Sequence, residues 1–138
     1  MKFLPDTNAL SRHLRGQDPG VSARMTEAIA QGQFIFSVVV YAELAFGAEK
    51  ARLTGETRPL DRLRRLRAIL PVAPLSTEVA EAYGKLRAHL EKRGERIGNM
   101  DMLLAAHAQV LNAVVVTHNV REFSRIPGLK VEDWQEDA

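Results

Sequence analysis

Two short runs free of charge and rich in β-branched residues, Phe34–Val40 (FIFSVVV) and Ala113–Thr117 (AVVVT), lie between longer stretches whose apolar residues recur at helical spacing. Runs of this kind belong in strands buried on both faces, which means a parallel sheet covered by helices. Strands that alternate with helices fix the class as α/β with a mainly parallel sheet.

The remaining elements fall into place around those runs. Lys2–Leu4 is expected to form a short first strand ending at Pro5-Asp6. Asp18 followed by Pro19 is a helix start, a capping side chain with proline at the first helical position, and Gly32 is a natural stop. Tyr41 to about Leu53 should be helical. Leu60, Leu63, Leu66 and Leu70 share one face of the next helix, with most of the arginines opposite, and that apolar face is a candidate dimer surface. Ile69–Pro74 holds room for a short strand. Val79, Ala82, Tyr83, Leu86 and Leu90 keep a helical period across Thr77–Arg93, closed by Gly94. Met100–Leu111 is a further helix, and Leu129–Val131 a last short strand. The chain shows neither repeat nor linker, so residues 1–138 are expected to form one domain.

Composition removes several classes. Without cysteine there are no disulfides and no thiolate metal sites. No apolar run approaches the ~20 residues that span a bilayer, and the first residues lack the apolar core of an export signal. A cytoplasmic protein with no membrane partner is expected. The net charge is only +2, weak evidence for a nucleic-acid partner. The basic residues cluster, however, at Arg58, Arg62, Arg64, Arg65 and Arg67 and again over Lys85–Arg96. Such clusters are either solvated helix faces or phosphate contacts.

In parallel α/β sheets, functional groups gather at the carboxyl edges of the strands. Asp6-Thr7-Asn8 follows the first strand. Ser37 and Glu43 flank the junction of the second strand with its helix. Thr117-His118-Asn119 follows AVVVT, and Asp101 lies in the first turn of the helix that feeds that strand, behind Asn99 as a candidate cap. Each carboxylate alone has a plain structural reading. Asp6 could cap a helix, Glu43 could pair with an arginine, and Asp101 could complement a helix dipole. Together, three carboxylates in one pocket repel one another unless a cation neutralises them. With only oxygen ligands on offer, Mg²⁺ or Mn²⁺ fits better than zinc. Such a site activates water and stabilises charge on a phosphoryl group. His13, His89 and His107 lie within helical patterns at no shared spacing and read as structural or surface residues. His118 is either an ordinary loop histidine or a substrate contact.

With these residues in view, the sequence resembles VapC-type toxins of the PIN-domain ribonuclease family over essentially its whole length. The resemblance rests on Asp6-Thr7-Asn8, on Glu43-Leu44 with Gly47-Ala48, and on Gly94-Glu95-Arg96-Ile97-Gly98-Asn99-Met100-Asp101 followed by Ala105-Ala106-His107-Ala108. It extends through Thr117-His118-Asn119-Val120-Arg121-Glu122-Phe123 to Gly128-Leu129-Lys130-Val131-Glu132-Asp133-Trp134. It implies a three-layer α/β/α domain with about five strands, usually dimeric. It further implies Mg²⁺- or Mn²⁺-dependent cleavage of RNA, with tRNA the leading substrate class, restrained by a VapB-like antitoxin in a type II toxin–antitoxin system. By that analogy Asp6, Glu43 and Asp101 hold metal and position water. Thr7, Asn8, Ser37, Asn99, Thr117, His118 and Asn119 become candidates for supporting or substrate contacts.

The chain departs from the family pattern at two positions. Asn119 stands where many relatives carry a fourth acid, which implies a single metal. Pro5 stands where an aliphatic residue is usual, and it removes a donor from what should be a central strand, which predicts a kink beside Asp6. Both departures support a rival reading, a degenerate domain of this family that binds RNA or an antitoxin without cutting. Two other classes fit poorly. An aspartyl-phosphate phosphotransferase wants a second aspartate at the position of Asn8. A receiver-type signalling domain resembles its relatives through a lysine after a late strand, and Thr117-His118-Asn119 offers none.

Overall fold

The computed structural model describes residues 1–135. The strands are β1 (Phe3–Pro5), β2 (Phe36–Ser37), β3 (Val72–Ala73), β4 (Val114–Val116) and β5 (Val131–Glu132). Between them run α1 (Thr7–Leu14), α2 (Pro19–Ala30), α3 (Val38–Leu53), α4 (Arg58–Ile69), α5 (Thr77–Lys92), α6 (Asn99–Leu111) and α7 (Val120–Phe123). All pairings are parallel, in the orders β1-β4-β5 and β2-β3. A parallel bridge between Phe3 and Phe34 links the two groups, so the strands lie side by side as β3-β2-β1-β4-β5.

Side-chain alternation along the central strands divides the core. Leu4 and Val115 pack with Leu86, Leu90, Met102 and Leu104 of α5 and α6. Their sequence neighbours Phe3 and Val116 turn to the opposite face, against Val21, Met25 and Ala28 of α2 and Trp134. Helices therefore cover both faces of the sheet, the three-layer arrangement expected of an α/β chain. Among the described residues no helix is long and apolar enough to cross a membrane.

Three local expectations need correction. The strand expected over Phe34–Val40 stops at Ser37, and Val38, Val39 and Val40 form the first turn of α3. The Ser37 hydroxyl accepts the Val39 N–H at 3.1 Å, and this cap starts a helix despite the β-branched residues behind it. Gly98, not Asn99, occupies the cap position of α6. The apolar face of α4 is already committed: Leu63 and Leu66 are buried in the chain's own core and Leu60 packs against it, so it offers no dimer surface.

Pro5 does not kink the strand, because of parity. Phe3 donates to the Gln33 carbonyl and accepts from Ile35 N–H, on the β2 side. Lys2 accepts from Val114 and Asp6 donates to Val116, on the β4 side. The N–H that Pro5 lacks would point to the β2 side, toward the Ile35 carbonyl, so the proline ends the β1–β2 ladder and leaves the β1–β4 ladder intact. Pro5 therefore keeps its register with Val116 and delivers Asp6 at the carboxyl edge.

Candidate active site

Asp6 leaves β1 and caps α1, its Oδ1 accepting the Ala9 N–H at 2.9 Å. Its other oxygen accepts the Thr117 hydroxyl at 2.6 Å from the end of β4. Adjacent strand ends thus hold Asp6 in one orientation. The side chain is buried, and burial raises its pKa above the ordinary carboxylate value. The bonds from Thr117 and Ala9 oppose that shift, while the charges of Glu43 and Asp133 add to it.

Glu43 projects from α3 and accepts the Thr7 hydroxyl at 2.6 Å. Asp101 lies in the first turn of α6, half-buried. Its pKa is pushed up to about 6, first by burial and then by the charges of Asp6, Glu43 and Glu122. A first-turn position favours an ionised carboxylate; burial outweighs that preference, and the neighbouring acids add to the rise. Asp6, Glu43 and Asp101, drawn from β1, α3 and α6, share one neighbourhood. Among the described residues, no three His, Asp or Glu side chains already stand close enough together to close around an ion.

Two acids were not singled out from the sequence. Glu122, on α7, raises Asp101, and Asp133, after β5, raises Asp6. Glu122 follows Asn119 by one helical turn, so the stretch that lacks an acid at Asn119 brings one near Asp101 from three residues on. Its signal lay in the Thr-x-Asn-x-x-Glu-Phe motif. Asp133 lay in the Gly-Leu-x-x-Glu-Asp-Trp motif.

The remaining candidates separate by position. Thr7 and Thr117 orient the carboxylates, and the Thr117 hydroxyl also accepts the Asn119 backbone N–H at 2.9 Å. His118 is exposed, its Nδ1 3.0 Å from Asp133 Oδ2. Asn8 is exposed beside the same hollow as His118. The exposed Asn99 accepts from Arg96 at 2.7 Å. Ser37 is engaged elsewhere: wholly buried, its hydroxyl lies 2.9 Å from His107 Nδ1. His107 also bonds the Pro74 carbonyl, and burial lowers its pKa. A neutral imidazole that donates to Pro74 through Nε2 and accepts from Ser37 through Nδ1 satisfies every group in this chain. His107 is therefore a structural tie between α6 and the ends of β2 and β3.

The donor set suits a hard divalent cation. Asp6, Glu43 and Asp101 supply only carboxylate oxygens, their mutual repulsion is what a cation relieves, and among the described residues no side chain or backbone N–H hydrogen-bonds Asp101.

Comparison with known proteins bears on the fold and the family. Residues 3–129 match the model of the PIN domain. Ribonuclease VapC1 of Haemophilus influenzae is 33% identical over 136 residues, covering 97% of this chain and 98% of that protein. The tRNA(fMet)-specific endonuclease VapC of Shigella flexneri is 32% identical over 134 residues, with the same coverage of 97% and 98%. Among solved structures, VapBC2 of Rickettsia felis, bound to a DNA fragment from its promoter, superposes with a TM-score of 0.88 at 30% identity, covering 98% of this chain and 100% of that one. VapBC-1 of nontypeable Haemophilus influenzae gives 0.82 at 31% identity, covering 97% and 98%.

Proposed function

The chain belongs to the PIN-domain family, among its VapC-type ribonucleases, and on that premise we propose that it is a metal-dependent endoribonuclease, the toxin of a type II toxin–antitoxin pair. The observation that carries this reading is the placement of three carboxylates at one end of the sheet, Asp6 held by Thr117 after β1, Glu43 held by Thr7 on α3, and Asp101 in the first turn of α6. The substrate class we propose is RNA, with tRNA favoured by kinship to an endonuclease named for tRNA(fMet). The partner is a VapB-like antitoxin, in keeping with solved relatives that are VapBC complexes.

In this reading Asp6, Glu43 and Asp101 hold Mg²⁺ or Mn²⁺. The bound ion supplies a lowered pKa for water and positive charge for the phosphoryl oxygens. Asp6, locked by Thr117 and Ala9, keeps one orientation through the reaction, and the Thr7 hydroxyl steadies Glu43. Asp101, which receives no hydrogen bond among the described residues, would complete the carboxylate set that positions the attacking water, whose proton passes to solvent. The water oxygen bonds to phosphorus, one P–O ester bond breaks, and the departing ribose oxygen takes a proton from solvent.

The test is cleavage of a total tRNA pool by the purified protein in Mg²⁺ or Mn²⁺, with EDTA and Asp101→Asn as controls. Discrete fragments that disappear in EDTA, and that fall by about two orders of magnitude or more with Asp101→Asn, are expected. A folded protein that binds RNA and leaves it intact would replace this reading with the non-cleaving one.

A further inference from the structure

Two hollows open near the carboxylates, one holding Asp133 and the other Glu43, and both are flanked by arginine. One, of about 200 Å³, is lined by Thr117, Asn8, His118 and Asp133 and edged by Arg12 and Arg15. The other, of about 300 Å³, is lined by Thr7 and Glu43 and edged by Arg15 and Arg62. Arg15, at the end of α1, borders both.

Arg15 and Arg62 have no acidic partner within 4 Å among the described residues, and Arg12 has one long ion pair. Arg12 Nε is buried without a hydrogen-bond partner among the described residues, its nearest acid being Asp18 Oδ2 at 3.7 Å. Asp18 already accepts the Val21 N–H. Arg15 is exposed, and its Nε makes a single long bond of 3.4 Å to the Ser11 carbonyl. Arg62 forms no ion pair within 4 Å among the described residues; Glu56, which feels its charge, is hydrogen-bonded to Arg58. Arg24, Arg52, Arg58, Arg87, Arg93 and Arg96 each lie against a glutamate, and among the arginines without an ion pair it is the position of Arg15 and Arg62 at the two hollows that sets them apart.

A polyanion approaching this site meets Asp6, Glu43, Asp101, Glu122 and Asp133 together. A cation among the carboxylates offsets that repulsion at one phosphate only. The phosphates on either side need their own counter-charge, and guanidinium is the group best matched to it. We propose that Arg12, Arg15 and Arg62 form a cationic rail beside the carboxylates that holds the phosphates of an RNA strand on both sides of the cleaved bond. The proposal rests on the ribonuclease reading above and adds positioning residues to it.

The test separates the rail from that reading. Binding of tRNA is measured in Ca²⁺ across a salt series for the unmodified protein and for Arg12→Gln, Arg15→Gln and Arg62→Gln. Arg64→Gln, on the exposed side of α4 and outside both hollows, is the control. Each rail variant is expected to weaken binding about fivefold and to reduce the slope of log affinity against log salt by ~0.7. In Mg²⁺ or Mn²⁺ each should raise KM and leave kcat unchanged, while the control changes neither. Arg15→Gln, at an exposed position, keeps the test decisive if Arg12→Gln disturbs the fold through Asp18. Variants that cleave and bind as the unmodified protein does, or a control that loses as much, overturn the rail and leave the ribonuclease standing. No RNA binding by the unmodified protein overturns both.

Discussion

Thr117 and Asp6, 111 residues apart in sequence, meet through a 2.6 Å hydrogen bond in which the threonine hydroxyl donates to Oδ2. The same hydroxyl oxygen accepts the Asn119 N–H, so one side chain joins the end of β4 to the carboxylate at the end of β1. Thr117→Val keeps the shape and removes both bonds. It leaves a buried carboxylate with one donor fewer, which should cost ~1–3 kcal/mol in urea unfolding at neutral pH. Thr117→Ser should recover most of that stability, and equal unfolding midpoints for the valine variant and the unmodified protein would show the bond to be neutral.

Asp101 sets a pH dependence. Its folded-state pKa of about 6 lies above the ordinary 3.8, so the folded protein holds this proton more tightly than the unfolded chain. The associated stability is fully present below the ordinary value and is lost as pH rises through about 6. In EDTA, Asp101→Asn should therefore gain stability relative to the unmodified protein as pH increases from 4 to 7. Mg²⁺ or Mn²⁺ should raise the melting temperature of the unmodified protein above pH 6 and have little effect on the variant. A stability difference that stays flat with pH would mean that Asp101 does not feel its neighbours.

Pro5→Leu should leave cleavage unchanged. The N–H it restores points to the β2 side, toward the Ile35 carbonyl, and not into the β1–β4 ladder that positions Asp6. A several-fold gain in metal affinity or cleavage would reveal a distortion that the strand pairing does not show.

Ser37→Ala should act on stability and not on chemistry. It removes the α3 cap and the bond to His107, together worth ~1–3 kcal/mol, and it leaves the acceptor nitrogen of a buried imidazole unpaired. Cleavage by the folded variant should match that of the unmodified protein. A selective loss of cleavage would place Ser37 in contact with the reaction.

Legibility in the sequence followed the range of the forces involved. Asp18-Pro19 and Gly32 announce α2 because caps and stops act within a few residues. The AVVVT run announces β4 because a strand covered on both faces must be apolar throughout. The valines at 38–40 misled because strand preference is weak where a cap at Ser37 and burial against the core favour a helix. Asp6, Glu43 and Asp101 stood out as carboxylates at element ends. Glu122 and Asp133 were missed, since their relevance depends on which loops lie beside Asp101 and Asp6.

By itself the sequence determined the α/β class, the parallel sheet and, through its resemblance, the family, all consequences of periodicity and short motifs. Only the tertiary structure decided which side of the ladder Pro5 leaves without a donor and that Ser37 and His107 are structural partners. It also decided that the leucine face of α4 is spent inside the core and that three arginines from α1 and α4 edge the hollows that hold Asp133 and Glu43. The physical reason is that periodicity and capping are written over a few residues. Charge repulsion, hydrogen-bond partnership and the sharing of a buried face depend on distances between atoms far apart in the chain, and folding sets those distances.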